Sequence, residues 1–428
     1  HYLLVRDDCV QIIQYWDVGK NAQAEDWALS ENEYAERILE LLDDSVRRRM
    51  VADVPIGAFL SGGVDSSAVV ALMKQHATAP VKTFSLGFRI GGAYDELDDA
   101  RRVANSFGTE HYELEVGHID LVETLRTLVY HYDEPFGDAA CFPLYLLSKF
   151  ARQHVKVALS GDGGDELFGG YRRYVVDQFS PFYQKLPQFL AWGVVPKTLN
   201  QLPRLRRLKR ISQTLPITDP SLRYAAWLVL FSPDMQAALL DPEIYHSVMG
   251  HNPAGIYPQY YSNLNGSSAA DHLNRLMYID LKTWLVDGYM EKTDKATMAC
   301  SLEARLPLLD YRLVELAFQI PSRYKIQGWS TKRIFKKAVS RLLPSPVLRK
   351  AKHGFSVPTD PWFQGDLKSF VFDVLLDQRA RNRGYFNMSF VEHLWREHIE
   401  GRHVWDTQLW LLLNFELWHR IYLNGETV

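Results

Sequence analysis

The chain has 428 residues, of which 47% are hydrophobic and 13% are aromatic, so it is long enough to bury a large core. Its 48 basic and 51 acidic side chains leave a net charge of -3, so no global field attracts nucleic acid or an anionic membrane, and we expect neither as a partner. Three separated cysteines lack the spacing of a zinc site or disulfide framework. No stretch resembles a signal peptide or a membrane span, so we expect a soluble cytoplasmic protein.

The order of predicted elements indicates the fold class. Residues 1–30 read as a short extended piece followed by a polar linker, and apolar spacing then predicts an amphipathic helix from Glu33 to Met50. Ser30 and Glu33 supply a capping-box-like start for that helix. Apolar and helical segments then alternate, with strands predicted at 55–60, 81–88, 110–116 and 155–161 and helices at 66–75, 96–107, 119–131 and 142–154.

This alternation predicts an α/β fold with a doubly wound, mostly parallel sheet, right-handed crossovers and helices on both faces. Strand signals fade from about Glu166 onward, and helical patterns dominate the rest of the chain. We therefore divide the sequence into a leading segment (1–30), an α/β domain (31–175) and a mainly helical C-terminal region (176–428).

The loop after the first predicted strand of the sheet, SGGVDSS at 61–67, indicates phosphate binding. Gly62 and Gly63 let the backbone approach an anion, and the free N–H groups at the start of the next helix point toward it. Hydroxyl donors come from Ser61, Ser66 and Ser67. Asp65 lies inside the loop, where an acid beside phosphates requires a cation, so we predict that Asp65 binds Mg²⁺.

The motif SGGVDSS resembles the pyrophosphate loop of the ATP pyrophosphatase (PP-loop) family, whose fold is adenine nucleotide alpha hydrolase-like. The resemblance implies that ATP is a substrate, that the loop holds its β and γ phosphates, and that pyrophosphate leaves when the α phosphorus is attacked. The predicted domain at 31–175 would then be the ATP-binding domain.

Three further motifs narrow the resemblance to one branch of that family. They are ALSGDGGDELFGGYRRY at 158–174, ATMACSLEARLPLLDYRLVELA at 296–317 and RKAKHGFSVPTDPWF at 349–363. Together with the first loop they are similar to asparagine synthetases over residues 31–423. The implied reaction activates the carboxylate of aspartate as an acyl-adenylate and passes it to ammonia.

The resemblance also implies nucleotide and metal contacts. Leu60 and Leu86 match adenine and ribose contacts, and Ser160 with Gly161 matches a second nucleotide contact. Asp65 and Asp165 would be the magnesium ligands. Lys352 matches the lysine that stabilises departing pyrophosphate.

Further acids complete the predicted reaction site. Asp162 stands where relatives carry a glutamate, which is a candidate general base for the attacking ammonia. For binding the amino-acid substrate the candidates are Asp133, Glu134, Asp138, Asp165 and Glu166, although solvated loop acids are an equal alternative for the first three. Arg305 pairs either with a substrate carboxylate or, slightly favoured, with Glu303.

The first residues resemble the last strands of an N-terminal glutaminase, so we expect a longer parent that draws ammonia from glutamine. A homodimer is possible. The alternatives are an amidotransferase of the same family acting on another carboxylate, such as a surface-polysaccharide sugar acid or a β-lactam precursor, and a catalytically silent nucleotide-binding relative. The basic run PRLRRLKR at 203–210 is interpreted as a solvated helix face or a contact with another domain rather than a nucleic-acid site.

Overall fold

A parallel sheet forms the centre of the fold. The computed structural model describes residues 1–7, 9–21, 29–88, 96–117, 121–201, 206–248, 253–264, 271–350 and 357–427. Its strands are β1 (Tyr2–Arg6), β2 (Cys9–Ile13), β3 (Ile56–Phe59), β4 (Lys82–Phe88), β5 (Glu110–Val116), β6 (Val157–Leu159) and β7 (Glu303–Arg305). Strands β1 and β2 form an antiparallel hairpin, and the other five form a parallel sheet in the order β5-β4-β3-β6-β7.

Five of the eight helices in the first part of the chain were predicted, with small shifts at their ends, whereas the helix at 18–21 lies in the predicted linker and those at 164–168 and 172–177 were not predicted individually. The eight helices are α1 (Val18–Asn21), α2 (Glu31–Arg49), α3 (Val64–His76), α4 (Leu97–Phe107), α5 (Leu121–Tyr132), α6 (Cys141–Ala151), α7 (Gly164–Phe168) and α8 (Arg172–Asp177). The predicted capping box of α2 is confirmed, because Ser30 N donates to Glu33 Oε2 over 2.7 Å and Ser30 Oγ accepts from Glu33 N.

Alternate residues of the central strands face two separate hydrophobic clusters. In β3, Ala58 packs with α2, α3 and α4, whereas Phe59 packs with α5 and α6 on the opposite face. The same alternation occurs in β6, where Val157 and Leu159 face the first cluster and Ala158 faces the second. Helices therefore cover both faces, and the prediction of a doubly wound parallel sheet is confirmed.

The remainder of the described chain is mainly helical, as predicted. Its helices are α9 (Ser180–Tyr183), α10 (Val195–Gln201), α11 (Arg206–Thr214), α12 (Pro220–Leu228), α13 (Pro233–Leu239), α14 (Pro242–Val248), α15 (Ile256–Asn263), α16 (His272–Lys282), α17 (Glu291–Met298), α18 (Tyr311–Gln319), α19 (Ser322–Lys325), α20 (Arg333–Ala338), α21 (Ser345–Arg349), α22 (Thr359–Gln364), α23 (Lys368–Leu376), α24 (Gln378–Asn382), α25 (Met388–Ile399) and α26 (Asp406–Trp418). π-Helical turns span Phe189–Val194, Trp284–Met290 and His419–Leu423, and 3₁₀ turns span Pro253–Gly255 and Pro307–Leu309.

Strand β7 is the exception to the expectation that strands end before the helical region. Its three residues, EAR, carry no apolar alternation, so no strand is predicted there from the residues themselves. Main-chain pairing with β6 creates the strand, and Ser160 N extends that pairing by donating to Arg305 O over 2.9 Å. The division at residue 175 stays a prediction, although β7 joins the sheet from beyond it.

The leading segment is tied to the helical region through Asp17. Its buried carboxylate accepts hydrogen bonds from Gly19 N (2.8 Å), Tyr278 OH (2.9 Å) and Lys282 Nζ (3.0 Å). Burial opposes the charge, but these donors outweigh it and lower the pKa of Asp17. Within the described residues, no helix is both long and apolar enough to cross a bilayer.

Candidate active site

The sheet order reverses between β3 and β6, and a cavity opens at the carboxyl ends of these two strands. Helices α3 and α4 follow β3 and β4 on one face, while α5 and α6 lead to β6 on the other. A reversal of this kind separates the loops that leave neighbouring strands and creates a crevice for ligand. The loop 61–67 leaves β3 and the loop 160–164 leaves β6, so both predicted motifs meet at this crevice.

Most of the predicted site residues line this cavity, whose volume is about 210 Å³. They are Leu60, Ser61, Gly63, Asp65, Ser66, Leu86, Ser160, Gly161, Asp162, Asp165 and Glu166. Gly62 and Ser67 belong to the same loop but are not part of the cavity wall. Lys352 lies outside the described residues, so its predicted role stays a prediction.

The first loop has the geometry of an anion-binding turn. Gly62 has φ +67°, and a Cβ there would lie 2.7 Å from the backbone of Asp99, so only glycine fits. Gly63 is the N-cap of α3 without a capping side chain, which leaves the first N–H groups of the helix available to a ligand. Ser61 Oγ and Ser66 Oγ lie 3.1 Å apart at the loop mouth. Ser67 Oγ is buried and has no hydrogen-bond partner among the described residues.

The second loop packs directly against the first. A Cβ at Gly161 would lie 2.6 Å from Ser66 N, and one at Gly164 would lie 2.5 Å from Asp65 Oδ1. The glycines of the SGDGGDE motif are therefore required for contact between the two loops. This contact brings Asp65 and Asp165 close together, and their role as magnesium ligands stays a prediction.

A lysine that the sequence analysis missed lies between these two acids. Lys332 Nζ lies 2.5 Å from Asp65 Oδ2 and 2.7 Å from Asp165 Oδ1, and its side chain is almost fully buried. Its backbone is left-handed, with φ +53°. Lys336 and Lys350 also line the cavity. Burial and the neighbouring charge of Lys332 lower the pKa of Lys336.

Lys350 lies in the motif RKAKHGFSVPTDPWF, whereas the sequence signal for the other two was the four-residue spacing of Lys332 and Lys336, which places both on one side of a helical turn. Neither lies in one of the motifs. Lys332 is paired with Asp65 and Asp165, and Lys350 Nζ lies 2.5 Å from Asp99 Oδ2. The three lysines therefore place ammonium groups beside the phosphate loop that could exchange carboxylate partners for phosphate oxygens.

The acid pair also fits a magnesium ion. Mg²⁺ is usually held by one or two carboxylates together with water and substrate phosphate oxygens, rather than by a cage of protein ligands. Asp65 Oδ1 is buried without a hydrogen-bond partner among the described residues, so it is available to a cation. Within the described chain no group of three His, Cys, Asp or Glu side chains could hold a metal by itself. Water and substrate phosphate oxygens would supply the remaining ligands of a bound Mg²⁺.

Lys292, which sequence reasoning also missed, lines the cavity together with Tyr289 and Thr293. Lys292 Nζ lies 3.0 Å from Asp138 Oδ2 and 3.6 Å from the ring centroid of Tyr289. Burial disfavours its charge, but Asp138, Tyr289 and Asp162 outweigh burial and raise the pKa of Lys292. These neighbours therefore favour the charged form of the buried Lys292 side chain, which lines the cavity.

Asp162 is positioned beside this cation. Its Oδ2 accepts a hydrogen bond from Thr293 Oγ1 over 3.2 Å, and both residues line the cavity. The bond fixes one carboxylate oxygen and leaves the other available to a proton from substrate. Its role as general base stays a prediction.

The three predicted substrate acids of the loop before α6 occupy different surroundings. Asp133 and Glu134 are exposed and do not line the cavity. Asp138 is half-buried behind the wall, where its charge is already balanced by Lys292. Arg305 has the structural contacts that we favoured, donating to Glu303 Oε1 over 2.7 Å and to the carbonyl oxygens of Arg49 and Val51.

Glu166 lies deepest in the cavity wall. Burial and the adjacent charge of Asp165 raise the pKa of Glu166 to about 7, and Tyr171 OH donates a hydrogen bond to its Oε1. The guanidinium of Arg173 lies 3.9 Å from the Tyr171 ring centroid and donates to Asp280 Oδ2 over 2.6 Å. A buried network therefore joins the cavity to α16 of the helical region.

A glycine loop, an acid pair and clustered lysines at the switch point of a doubly wound sheet define a nucleotide-binding α/β protein. The asparagine synthase family matches residues 37–420, and the chain belongs to that family.

Individual relatives agree with this assignment. The chain is 31% identical over 400 residues to asparagine synthetase (glutamine-hydrolyzing) 1 of Bacillus subtilis, covering 92% of this chain and 60% of the relative. It is 33% identical over 399 residues to a putative asparagine synthetase (glutamine-hydrolyzing) of Mycobacterium bovis, covering 92% and 58%. A more distant relative is Amidase chry2 of Gibberella zeae, at 22% identity over 427 residues, covering 90% and 61%. The chain thus spans about three fifths of the length of these relatives.

Proposed function

We propose that the chain catalyses ATP-dependent amidation of L-aspartate, through β-aspartyl-AMP and pyrophosphate, with ammonia as the immediate nitrogen donor. The observation that carries the proposal is the cluster of Asp65, Asp165 and Lys332 beside a phosphate-binding loop. This arrangement supplies cations and N–H donors where the charge of a leaving pyrophosphate develops.

In the first step a carboxylate oxygen of aspartate attacks the α phosphorus of ATP, and the bond from phosphorus to pyrophosphate breaks. The N–H groups after Gly63 hold the β and γ phosphates, while Lys332 exchanges its carboxylate partners for phosphate oxygens. A bound Mg²⁺, held by Asp65 and Asp165, would neutralise phosphate charge.

In the second step ammonia attacks the acyl carbon, a proton leaves the nitrogen, and AMP departs. Asp162 is the proposed proton acceptor, since it lines the cavity and Thr293 fixes its orientation. Lys292 is the proposed partner of a substrate carboxylate, because its buried ammonium side chain lines the cavity near Asp162.

The names of the relatives specify glutamine hydrolysis, and we propose that glutamine is the ultimate donor in the whole protein, through its glutaminase part. We propose that the reaction takes place in the cytoplasm, where ATP is available and where the free thiols Cys9, Cys141 and Cys300 stay reduced. Assembly into a homodimer remains a prediction.

The test is pyrophosphate release from ATP, Mg²⁺ and ammonium with and without L-aspartate. We expect aspartate-dependent release with formation of asparagine and AMP. Asp65→Asn should lower the rate by at least about a hundredfold. The matched control is Asp98→Asn, because the Asp98 side chain is 81% exposed and does not line the cavity. Release that ignores aspartate would favour another acceptor carboxylate, and nucleotide binding without turnover would favour a silent relative.

A further inference from the structure

The segment between Asp177 and Asp219 differs in charge from the rest of the chain. It contains seven lysines and arginines and no aspartate or glutamate, although the whole chain has a net charge of -3. The basic run at 203–210 is its C-terminal part. A block of one sign on a nearly neutral protein creates a local field that attracts an oppositely charged partner.

The same segment exposes large apolar side chains. Phe182 and Phe189 are each 67% exposed, Trp192 is 55% exposed and Val194 is 51% exposed. Phe179 and Leu186 are each 40% exposed. Single exposed apolar residues are ordinary, but a concentration of them within residues 179–194 marks an interaction surface.

These side chains are exposed although their backbone is fixed to the protein. Tyr183 OH donates to Ala191 O over 3.3 Å, and Ala191 itself is buried. Gln184 Nε2 donates to the carbonyl oxygens of Leu215 and Ile217. The inner side of the segment is therefore packed and hydrogen-bonded, and the aromatic residues are presented outward.

Exposed lysines lie among the aromatic residues. Lys185 Nζ is 5.7 Å from the ring centroid of Phe182, and Lys197 is exposed just after the π-helical turn. We call the exposed side chains of this segment the aromatic–basic face. It comprises Phe179, Phe182, Lys185, Leu186, Phe189, Trp192, Val194 and Lys197.

We propose that the aromatic–basic face attaches the protein to the surface of an anionic lipid membrane. Segments that lie in the bilayer interface are typically rich in tryptophan, phenylalanine and leucine, together with lysine and arginine. The residues between Asp177 and Asp219 have this composition and contain no acid. Protein–protein interfaces are instead depleted in lysine. Nucleic acid would be held mainly through its phosphates, which would leave Leu186 and Val194 without apolar partners.

Attachment of this kind needs no membrane-spanning helix. The expectation of no membrane partner rested on the charge of the whole chain, whereas the positive charge here is local. At one end of the face the Phe179 ring stacks on Trp329, with the ring centroids 5.5 Å apart, and Trp329 precedes the cavity residue Thr331 in the sequence.

Flotation of the whole chain with lipid vesicles tests the proposal. We expect binding to vesicles of phosphatidylcholine mixed with phosphatidylserine, weaker binding to phosphatidylcholine alone, and loss of binding as salt increases. The double variant Phe189→Ala/Trp192→Ala should partition at least about tenfold more weakly, since both side chains lose apolar area for insertion. Lys185→Glu/Lys197→Glu should have an effect of similar size.

The matched control is Tyr311→Ala, which removes a 59% exposed ring far outside this segment and should leave partition unchanged. Thermal unfolding midpoints check that every variant folds. The proposal is overturned if vesicles of neither composition bind, if the two double variants bind as well as wild type, or if the same substitutions abolish only oligonucleotide binding or only self-association. Pyrophosphate release in solution should be unchanged in all these variants. A failure of the membrane proposal can therefore be distinguished from a failure of the proposed catalytic function.

Discussion

Two buried lysines with opposite surroundings allow a sharp prediction about stability. Lys332 and Lys325 are 3% and 0% exposed. Lys332 lies between two buried carboxylates, at 2.5 Å from Asp65 Oδ2 and 2.7 Å from Asp165 Oδ1. Lys325 Nζ instead donates to the neutral Asn274 Oδ1 over 2.7 Å and packs near Met277 and Phe318. Replacing each lysine with methionine keeps most of the volume and removes the charge.

Lys332→Met should lower the free energy of unfolding by about 3–5 kcal/mol, because two carboxylates with little exposure would face each other without a cation. Lys325→Met should leave stability unchanged or increase it at neutral pH. Burial lowers the pKa of Lys325 to about 7 from 10.5, so its charge opposes folding, and removing it offsets the loss of one hydrogen bond worth about 1 kcal/mol.

Urea unfolding of the two variants and the wild type, in buffer without divalent cations, gives both differences. Mg²⁺ should then stabilise Lys332→Met more than wild type, because the ion no longer competes with an ammonium for Asp65 and Asp165. Equal unfolding midpoints for Lys332→Met and wild type would refute the argument that this lysine balances the acid pair.

Three other outcomes are expected. Gly161→Ala should abolish pyrophosphate release while the protein still folds, because the new Cβ would lie 2.6 Å from Ser66 N; circular dichroism alongside the activity assay separates the two effects. Asp280→Asn should destabilise the chain by about 3 kcal/mol and raise the KM for aspartate, since the buried Arg173 loses its counter-charge; unchanged urea unfolding and KM would contradict the network. Between pH 7 and 10.5 the unfolded chain holds more protons at Lys325 than the folded chain does, so wild-type stability should rise with pH relative to Lys325→Met, as urea unfolding across that range would measure.

Much of the fold was predictable because the alternation of strands and helices depends on short-range patterns of apolar and polar residues. Each strand of the parallel sheet in the first part of the chain is a short apolar run, and the helices between the strands have apolar residues at helical spacing. The capping box was predictable from the identities of Ser30 and Glu33 alone. Strand β7 was not predictable, because the EAR segment becomes a strand only through its partner β6. Strand order was likewise unavailable from local patterns.

Some residues of the candidate site were likewise predictable from the sequence, and others were not. The glycine loops are recognisable in the sequence, because positions such as Gly62 and Gly161 must lack a side chain where backbone segments approach closely. The two loops that contain them lie in contact, as expected. Lys332 and Lys292 escaped prediction because each acts through residues far away in sequence, Asp65 in one case and Asp138 in the other. Asp133 and Glu134 are exposed and do not line the cavity, so their role in substrate binding stays a prediction.

The position of β7 has a consequence for how the chain folds as it is synthesised. Strand β6, which leads into the SGDGGDE loop, pairs with β3 on one side and only with β7 on the other. Until residues 303–305 leave the ribosome, β6 is therefore an open edge with unpaired backbone groups, beside a nucleotide pocket that still lacks Lys332, Lys336 and Lys350. Chains terminated before that point should recruit chaperones or aggregate through this edge, and ribosome-bound intermediates of increasing length would reveal when the edge closes.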